Sequence, residues 1–354
     1  MPARTLLTAL ALVATLFAAS PIFATQASYA GGEALTIVTR DESLQRAVQS
    51  AYVQPFTAVT RARVVQQVWE GDIATLRKHV KPPTNAWDVV MVDPEELATG
   101  CSEGLFEKLD WSMIGGKDHY LPQAVSDCGV GAITVDTVLA WDKDKLPVSP
   151  TWSDFWDVAK YPGKRGLRKD VRGNLEIALM ADGVAPGDVY KTLSSSEGVD
   201  RAFHKLDQLK PYIVWWSSNA EAPRILSSGD VLMTSAPSAQ ITTAAESAHR
   251  NFGVQFAGSL YELNSWAIVK GTPALRTAEQ FLYFTGMPAI EQRLLKKGGY
   301  FGLAKGLTDG VPASVVALSP NNPANANAGL RLDAAFWHDN LPKLRQRFEA
   351  WLGH

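Results

Sequence analysis

The sequence predicts an α/β protein built from two lobes. Short apolar runs with the composition of strands alternate with amphipathic helical segments, and this alternation is typical of parallel strands joined through helices. The chain has 354 residues, which is more than one typical domain needs. Its sequence contains no Pro/Gly/Ser-rich linker between two independent halves. The simplest arrangement is therefore a pair of lobes between which the chain crosses more than once.

The beginning of the chain has the pattern of a secretory signal peptide over residues 1–30. Arg4 precedes an apolar run at residues 6–17, and small residues lead up to Ala30. A run of this length is too short to span a bilayer as a stable helix. We expect cleavage after Ala30, with Ala27 as the alternative, and a mature protein that works outside the cytoplasm without stable membrane insertion.

The net charge and the cysteines of the chain limit the partners and sites that we expect. The formal net charge is −2 and becomes −3 when the leader with Arg4 is removed, which gives no electrostatic reason to expect nucleic-acid binding. Cys101 and Cys128 are the only cysteines, and such a pair in an oxidising compartment predicts a disulfide that contributes roughly 3 kcal/mol. Because there is no Cys-x-x-Cys and no pair of histidines at helical spacing, we expect no metal site and no cofactor.

Hydrophobic periodicity predicts the individual elements in chain order. Continuous or alternating apolar residues predict strands, and apolar residues at three- and four-residue spacing predict helices. The expected strands are residues 35–39, 63–68, 87–92, 129–141, 212–216, 231–234 and 265–269, and the expected helices are residues 44–52, 72–80, 152–157, 175–179, 199–210, 221–228, 274–286, 288–297 and 330–352.

Polar residues directly after the first three strands are candidate ligand contacts. Ligands of parallel sheets bind beyond the carboxyl ends of the strands. Arg40 follows the first strand, Trp69 follows the second, and Asp93 and Glu95 follow the third. These four side chains are therefore expected near a binding cleft.

Charged residues also precede the predicted helix at residues 175–179. Asp170 is the expected N-cap of this helix, and Arg172 falls at its start, where a guanidinium can hold an anion in a cleft. In the alternative interpretation, Arg172 belongs to a solvated basic cluster with Lys164, Arg165, Arg168 and Lys169.

The usual signatures of enzymes are absent from the sequence. There is no Gly-x-Ser-x-Gly, no phosphate-binding P-loop and no His-Glu-x-x-His. Gly129-Val130-Gly131 lies inside a predicted strand and lacks the third glycine of a dinucleotide-binding turn. We therefore expect no catalytic residues and no enzyme activity.

Seven short motifs occur in a fixed order along nearly the whole mature chain. In this order they resemble the periplasmic solute-binding proteins of ABC importers, specifically the spermidine/putrescine-binding type. The motifs are LTIVT at 35–39, WDVV at 87–90, GLFEKLD at 104–110, TWSDFW at 151–156, YPGK at 161–164, GDV at 229–231 and WAIVKG at 266–271.

The resemblance implies a type II periplasmic binding protein fold. Two α/β lobes with mixed, mostly parallel sheets are joined by a hinge and enclose an interlobe cleft, which closes on the ligand. The chain is expected to cross between the lobes near residues 133–138 and 262–265. The implied lobes are residues 31–135 with 264–310, and residues 136–263 with 311–354.

The resemblance also implies a ligand site, from which this chain departs. The family's polyamine site uses carboxylates for the ammonium groups and aromatic rings for the methylene chain. The corresponding positions here are Arg40 for a Trp, Asp93 and Glu95 for a Ser and a Tyr, Asp170 for a retained acid, Gly173 for a second acid, Pro237 for a Trp, Glu262 and Asn264 for a Trp-x-Asp, and Tyr300 for a retained Tyr.

These replacements favour a ligand with an anionic end. Arg40 can hold a carboxylate or phosphonate while Asp93 or Asp170 holds an amine, which suggests a zwitterionic amino acid or aminophosphonate. A polyamine-like amine remains the alternative ligand. Arg40 can instead form an internal salt bridge with Asp93 or Glu95, and Trp69 and Trp216 are either cleft walls or core residues.

The resemblance thus implies a periplasmic, non-enzymatic binding protein. It is expected to act as a monomer that delivers a small nitrogenous solute to an ABC permease in the inner membrane. A secreted enzyme and a sensor that presents its ligand to a receptor, each on the same two-lobed fold, are the alternative functions.

Overall fold

The computed structural model describes residues 34–69, 73–80 and 87–353. The predicted signal peptide, residues 1–30, lies outside the described residues. Within the described ranges, no helix is both long enough and apolar enough to cross a membrane.

The strands of the described residues join in one sheet. Its order is β2-β1-β3-β8-β4-β7-β5-β6, and β9 pairs separately with β8. Strands β1, β2 and β3 are parallel to one another, as are β5, β6 and β7. The bounds are β1 Leu35–Thr39, β2 Val64–Val68, β3 Val89–Val92, β4 Gly129–Asp142, β5 Arg165–Arg168, β6 Ile213–Trp216, β7 Met233–Ala236, β8 Phe252–Ile268 and β9 Leu330–Arg331.

Helices connect these strands and cover the sheet. The predicted helix at residues 44–52 continues through a π-helical turn, Gln49–Val53, into a second helix. The helices are α1 Glu42–Val48, α2 Gln54–Thr60, α3 Ile73–His79, α4 Pro94–Ser102, α5 Trp152–Trp156, α6 Asn174–Ala181, α7 Val189–Leu193, α8 Ser196–Leu209, α9 Glu221–Ser227, α10 Ser238–Ala248, α11 Leu275–Thr285, α12 Pro288–Gly298, α13 Ala313–Val316, α14 Pro323–Ala328 and α15 Ala334–Gly353.

Two hydrophobic cores define the two lobes. One core packs β1, β3 and the adjoining ends of β4 and β8 against helices such as α1 and α11; we call this part lobe 1. The other packs β5 and β7 against α5, α6, α8 and α15; we call this part lobe 2. The fold is therefore the two-lobed α/β fold that the sequence predicts, whereas the exact lobe boundaries stay a prediction.

The strand directions place a cleft between the lobes. β4 and β8 pair antiparallel along their length; β3 pairs with the end of β8, and β7 pairs with residues 138–141 of β4. Consequently β1 and β3 run parallel to β4, whereas β5, β6 and β7 run against it. The carboxyl ends of β1 and β3 therefore face those of β5, β6 and β7, and residues 132–137 of β4 and 260–264 of β8 lie between the two sets of strand ends. These segments overlap the crossings that the resemblance implies.

The structure corrects two local predictions. The N-cap of α6 is Gly173 and not Asp170, because Glu176 accepts a hydrogen bond from the Gly173 backbone N–H at 2.9 Å and completes the first turn. The predicted helical tail at residues 330–352 begins with the short strand β9, and its helix starts only at Ala334. The predicted disulfide between Cys101 and Cys128 is confirmed.

Candidate ligand-binding site

The turn from β3 into α4 brings three carboxylates to the cleft. Asp93 is the N-cap of α4: its Oδ1 accepts from the Glu96 N–H at 2.8 Å, and its own N–H donates to Glu96 Oε2 at 3.0 Å. This reciprocal capping box fixes the first helical turn. Asp93, Glu95 and Glu96 are consequently held together at the carboxyl end of β3.

Arg40, at the end of β1, pairs with carboxylates of its own lobe. Its guanidinium hydrogen-bonds to Glu96, and its Nη2 lies 3.5 Å from Asp93 Oδ2. The same group lies over the Trp69 ring, 4.3 Å from the ring centroid. Trp69 is itself a core residue whose indole N–H donates to the Met91 carbonyl at 3.2 Å. Arg40 thus forms the internal salt bridge considered as an alternative, although with Glu96 in place of Glu95.

Arg172, from the loop before α6, reaches across the cleft. Its Nη1 lies 3.0 Å from Glu95 Oε2, 3.7 Å from Asp93 Oδ2 and 4.0 Å from Glu262 Oε2. Arg172 belongs to lobe 2, Asp93 and Glu95 belong to lobe 1, and Glu262 lies in the crossing part of β8. The interpretation of Arg172 as part of a solvated basic cluster is therefore wrong; Arg165 of the same cluster is fully buried.

The backbone around Arg172 is fixed by its neighbours. The Asn174 side-chain amide donates to the carbonyls of Arg168 and Asp170, each at 2.7 Å. Asp170 Oδ1 accepts from the Arg172 backbone N–H at 3.3 Å. Asp170 therefore shapes the loop that presents Arg172, a role different from the predicted helix cap.

The cluster contains more carboxyl groups than guanidinium groups. Four carboxylates, of Asp93, Glu95, Glu96 and Glu262, lie against the two guanidinium groups. Burial raises the pKa of Glu95 to about 8, although Arg172 opposes this shift, and Asp93, Glu262 and Glu96 raise it further. Burial likewise raises the pKa of Glu96 to about 7 and raises that of Glu262. An added cation such as an ammonium group would stabilise the ionised carboxylates.

Four buried polar atoms of the described residues lack a hydrogen-bond partner. They are Thr39 Oγ1, Asp136 Oδ2, Trp216 Nε1 and Asn264 Oδ1. Thr39 and Trp216 end β1 and β6, Asn264 lies on the Glu262 face of the crossing segments, and Asp136 lies on the opposite face. Because an unpaired buried polar group costs about 1–3 kcal/mol, Thr39 Oγ1, Trp216 Nε1 and Asn264 Oδ1 are suited to bind a polar ligand.

Asp136 is a buried acid in the crossing segment of β4 that the sequence patterns did not single out. Its Oδ1 accepts from the Ser238 backbone N–H at 3.0 Å, and burial raises its pKa to about 6. Asp136 pairs with Tyr261 while Glu262 pairs with Val135, which places the Asp136 and Glu262 side chains on opposite faces of the crossing strands. An acidic residue inside the otherwise apolar run of β4 was the available signal.

The remaining predicted site residues lie near the cleft in other settings. Trp216 packs with Ile225 and Leu226 in a hydrophobic cluster separate from the lobe 2 core. The hydroxyl of Tyr300, at the end of α12 in lobe 1, accepts from Gln240 Nε2 of α10 at 3.0 Å. The role of Tyr300 in ligand binding stays a prediction, as does that of Trp216.

Among residues 34–69, 73–80 and 87–353, no group of three or more His, Cys, Asp or Glu side chains is arranged to hold a metal ion.

Comparison with known proteins defines the class of this chain. The family model described as "Bacterial extracellular solute-binding protein" matches residues 51–324. The chain belongs to this family and is the solute-binding component of an ABC importer.

Individual relatives are more specific. The chain is 40% identical over 326 residues to a gamma-aminobutyric acid-binding protein of Pseudomonas aeruginosa, covering 92% of each chain. Among solved structures, it resembles an ABC transporter substrate-binding protein from Bradyrhizobium japonicum at 29% identity, with a TM-score of 0.80 and coverage of 90% and 99% of the two chains. It also resembles the solved structure described as "Atu4243-GABA receptor" at 27% identity, with a TM-score of 0.80 and coverage of 90% and 97% of the two chains.

The polyamine subtype has weaker support than the family. A spermidine/putrescine substrate-binding protein from Streptococcus pneumoniae is similar at 15% identity, with a TM-score of 0.72 and coverage of 90% and 99%. A similarity at this level shows the common fold alone. The resemblance therefore identified the correct family, and its specific assignment to the spermidine/putrescine type is not supported.

Proposed function

We propose that this protein binds γ-aminobutyric acid (GABA) or a closely related ω-amino acid between its lobes. The observation that carries the proposal is the Arg172–Glu95 ion pair, in which opposite charges of the two lobes lie 3.0 Å apart. The 40% identity to a gamma-aminobutyric acid-binding protein supports the same ligand class.

A zwitterion matches both partners of this ion pair. Its carboxylate can replace Glu95 at Arg172, as a guanidinium binds carboxylates through directed hydrogen bonds. Its ammonium can replace Arg172 among Glu95, Asp93 and Glu262. A polyamine offers only cations and would compete with the Arg172 guanidinium for the same carboxylates. The charge pattern therefore favours an amino acid over a polyamine.

The exported location follows the same proposal. We propose that residues 1–30 direct export and are removed after Ala30, so that the mature monomer collects its ligand in the periplasm. Delivery then takes place to an ABC permease of the inner membrane.

Calorimetry and thermal unfolding with three matched compounds test the ligand class. GABA carries both charges, putrescine carries two ammonium groups on a chain of similar length, and butyrate carries only the carboxylate. GABA at a hundred times its Kd should stabilise the folded protein by about 2.7 kcal/mol. The other two should bind at least about 100-fold more weakly, because each leaves one charged partner unpaired.

Two results would contradict the proposal. Putrescine that binds as tightly as GABA would indicate a polyamine-binding protein. Failure of all three ligands, together with turnover of a chromogenic substrate, would indicate the secreted enzyme considered in the sequence analysis.

A further inference from the structure

A buried carboxylate lies directly behind the arginine that crosses the cleft. Glu176, in the first turn of α6, is fully buried. Its Oε2 accepts from the Gly173 backbone N–H at 2.9 Å, and Gly173 follows Arg172 in the chain. Gly173 has a φ of 89°, in the region that favours glycine, so the hydrogen bond holds an unusual backbone conformation next to Arg172.

The other oxygen of Glu176 ties this loop to the C-terminal helix. Its Oε1 accepts from Trp337 Nε1 of α15 and from the Tyr190 hydroxyl, both at 2.8 Å. Trp337 is itself fully buried, and its N–H also lies 3.2 Å from the Tyr190 oxygen. Three donors therefore hold the carboxylate in one orientation, as a buried ionisable group requires.

The next residue of α15 contacts the opposite side of the ion pair. His338 Nδ1 lies 3.3 Å from Thr99 Oγ1 of α4, the helix whose first turn carries Glu95. Adjacent residues of α15 thus reach both the loop that presents Arg172 and the helix that presents its partner.

We propose that Glu176 is a positioning residue that orients Arg172 for ligand binding, and that Trp337 couples this orientation to α15. The inference deepens the proposed function and rests on it for the identity of the ligand. Glu176 does not contact the ligand; it acts through the Gly173 N–H and the direction in which the Arg172 side chain leaves the loop.

A double-mutant cycle separates positioning from a general structural role. The variants are E176Q, R172A and the double variant, with GABA as the ligand. Gln keeps the size of the side chain but cannot accept all three hydrogen bonds in the same way. E176Q should weaken GABA binding about tenfold in the wild-type background and less than about twofold in R172A, since groups that act together are non-additive. An equal loss in both backgrounds would overturn the proposal.

The unfolding equilibrium gives a second readout that needs no ligand. The unfolding equilibrium constant of the double variant should rise at least about fivefold less than the product of the two single-variant increases predicts. Increases that simply multiply would refute the coupling of Glu176 to Arg172. If wild-type protein binds no GABA, the proposed function fails, while this cycle still decides whether Glu176 acts through Arg172.

Two further variants serve as control and as substitute. Glu291 is buried in lobe 1 and accepts from the Ala304 backbone N–H at 2.8 Å, so E291Q removes a comparable carboxylate without coupling to Arg172. W337F keeps an aromatic ring but removes the indole donor together with part of the buried ring volume. It should weaken GABA binding about threefold, and it replaces E176Q in the cycle if that variant does not fold.

Discussion

The two arginines of the cleft lie at the ends of facing strands, yet they pair differently. Arg40 contacts Glu96 and Asp93, which belong to its own lobe. Arg172 contacts Glu95 and Asp93 from the opposite lobe. A hinge motion between the lobes leaves the Arg40 contacts intact, whereas it separates Arg172 from its partners.

This difference assigns different consequences to the two ion pairs. An ion pair within one lobe is present in the open and the closed protein, and it stabilises the fold of the turn at α4. An ion pair between lobes stabilises the protein only when the cleft is closed. A ligand with the same charges can take the place of either partner. Arg172 should therefore govern affinity, and Arg40 should govern stability.

The largest expected effect tests Arg172. R172A should weaken GABA binding about 1000-fold, close to 4 kcal/mol, because the ligand carboxylate then lies in the cleft without its cation. Isothermal titration calorimetry measures the loss. R201A is a suitable control, since Arg201 pairs with Asp182 at 2.7 Å at the surface of the same lobe and should leave the affinity unchanged. An affinity within tenfold of wild type in R172A would remove Arg172 from the site.

The next effect concerns the folded state. R40A should lower the free energy of unfolding by about 3 kcal/mol, because it leaves the buried Glu96 carboxylate without its hydrogen-bonded cation and removes one of the two guanidinium groups beside Asp93. Urea unfolding measures the loss. R77A breaks the exposed pair with Glu103 and should cost less than about 1 kcal/mol.

The same variant also decides between the two arginines as carboxylate ligands. The sequence-based hypothesis has Arg40 hold the ligand carboxylate, and on that hypothesis R40A abolishes GABA binding. The pairing described above predicts a change of only a few-fold. A folded R40A protein that no longer binds GABA would exchange the roles assigned to Arg40 and Arg172.

Local sequence patterns were sufficient for much of the fold. The continuous apolar run of β1 coincides with the predicted residues 35–39, since a buried parallel strand needs no alternation. The 17-residue strand β8 was predicted only over its last part, residues 265–269. Polar residues such as Gln255 and Glu262 interrupt its apolar pattern, and its pairing with β4 is a long-range interaction that periodicity does not reveal.

The positions of several site residues were predictable from the sequence, but their interaction partners were not. Arg40, Asp93 and Glu95 were found because they follow strand ends. Successive residues of a helix point about 100° apart, so Glu95 and Glu96 face different neighbours, and Glu96 turns back to the N-cap and to Arg40. The sequence does not single out Glu96, because the direction of its side chain depends on the residue at which helix α4 begins. Glu176 was omitted because its partners come from residues distant in sequence.

The smallest expected effect is a dependence of GABA affinity on pH that distinguishes the two ion pairs. Burial raises the pKa of Glu95 to about 8 even beside Arg172, so near neutral pH a large fraction of the free protein carries Glu95 protonated and the rest carries the ionised pair. The ligand ammonium stabilises the ionised carboxylate, so binding releases this proton. Raising the pH removes the cost of that release, and affinity should increase by up to about tenfold per unit until it levels off near pH 8. The ligand amine, with a pKa near that of lysine at about 10.4, stays protonated over this range.

Calorimetry in buffers of different ionisation enthalpy counts the protons that are released. If only the Arg172 side exchanges with the ligand, about one proton should leave per GABA at pH 7, and E95Q should bind more weakly with a shallower pH profile, because Glu262, whose pKa burial also raises, remains. Glu96, whose pKa is raised to about 7, keeps its contact with Arg40 and should contribute little. Release that persists in E95Q and disappears in E96Q would place the ligand ammonium at the Arg40 pair, contrary to the assignment made from the lobes.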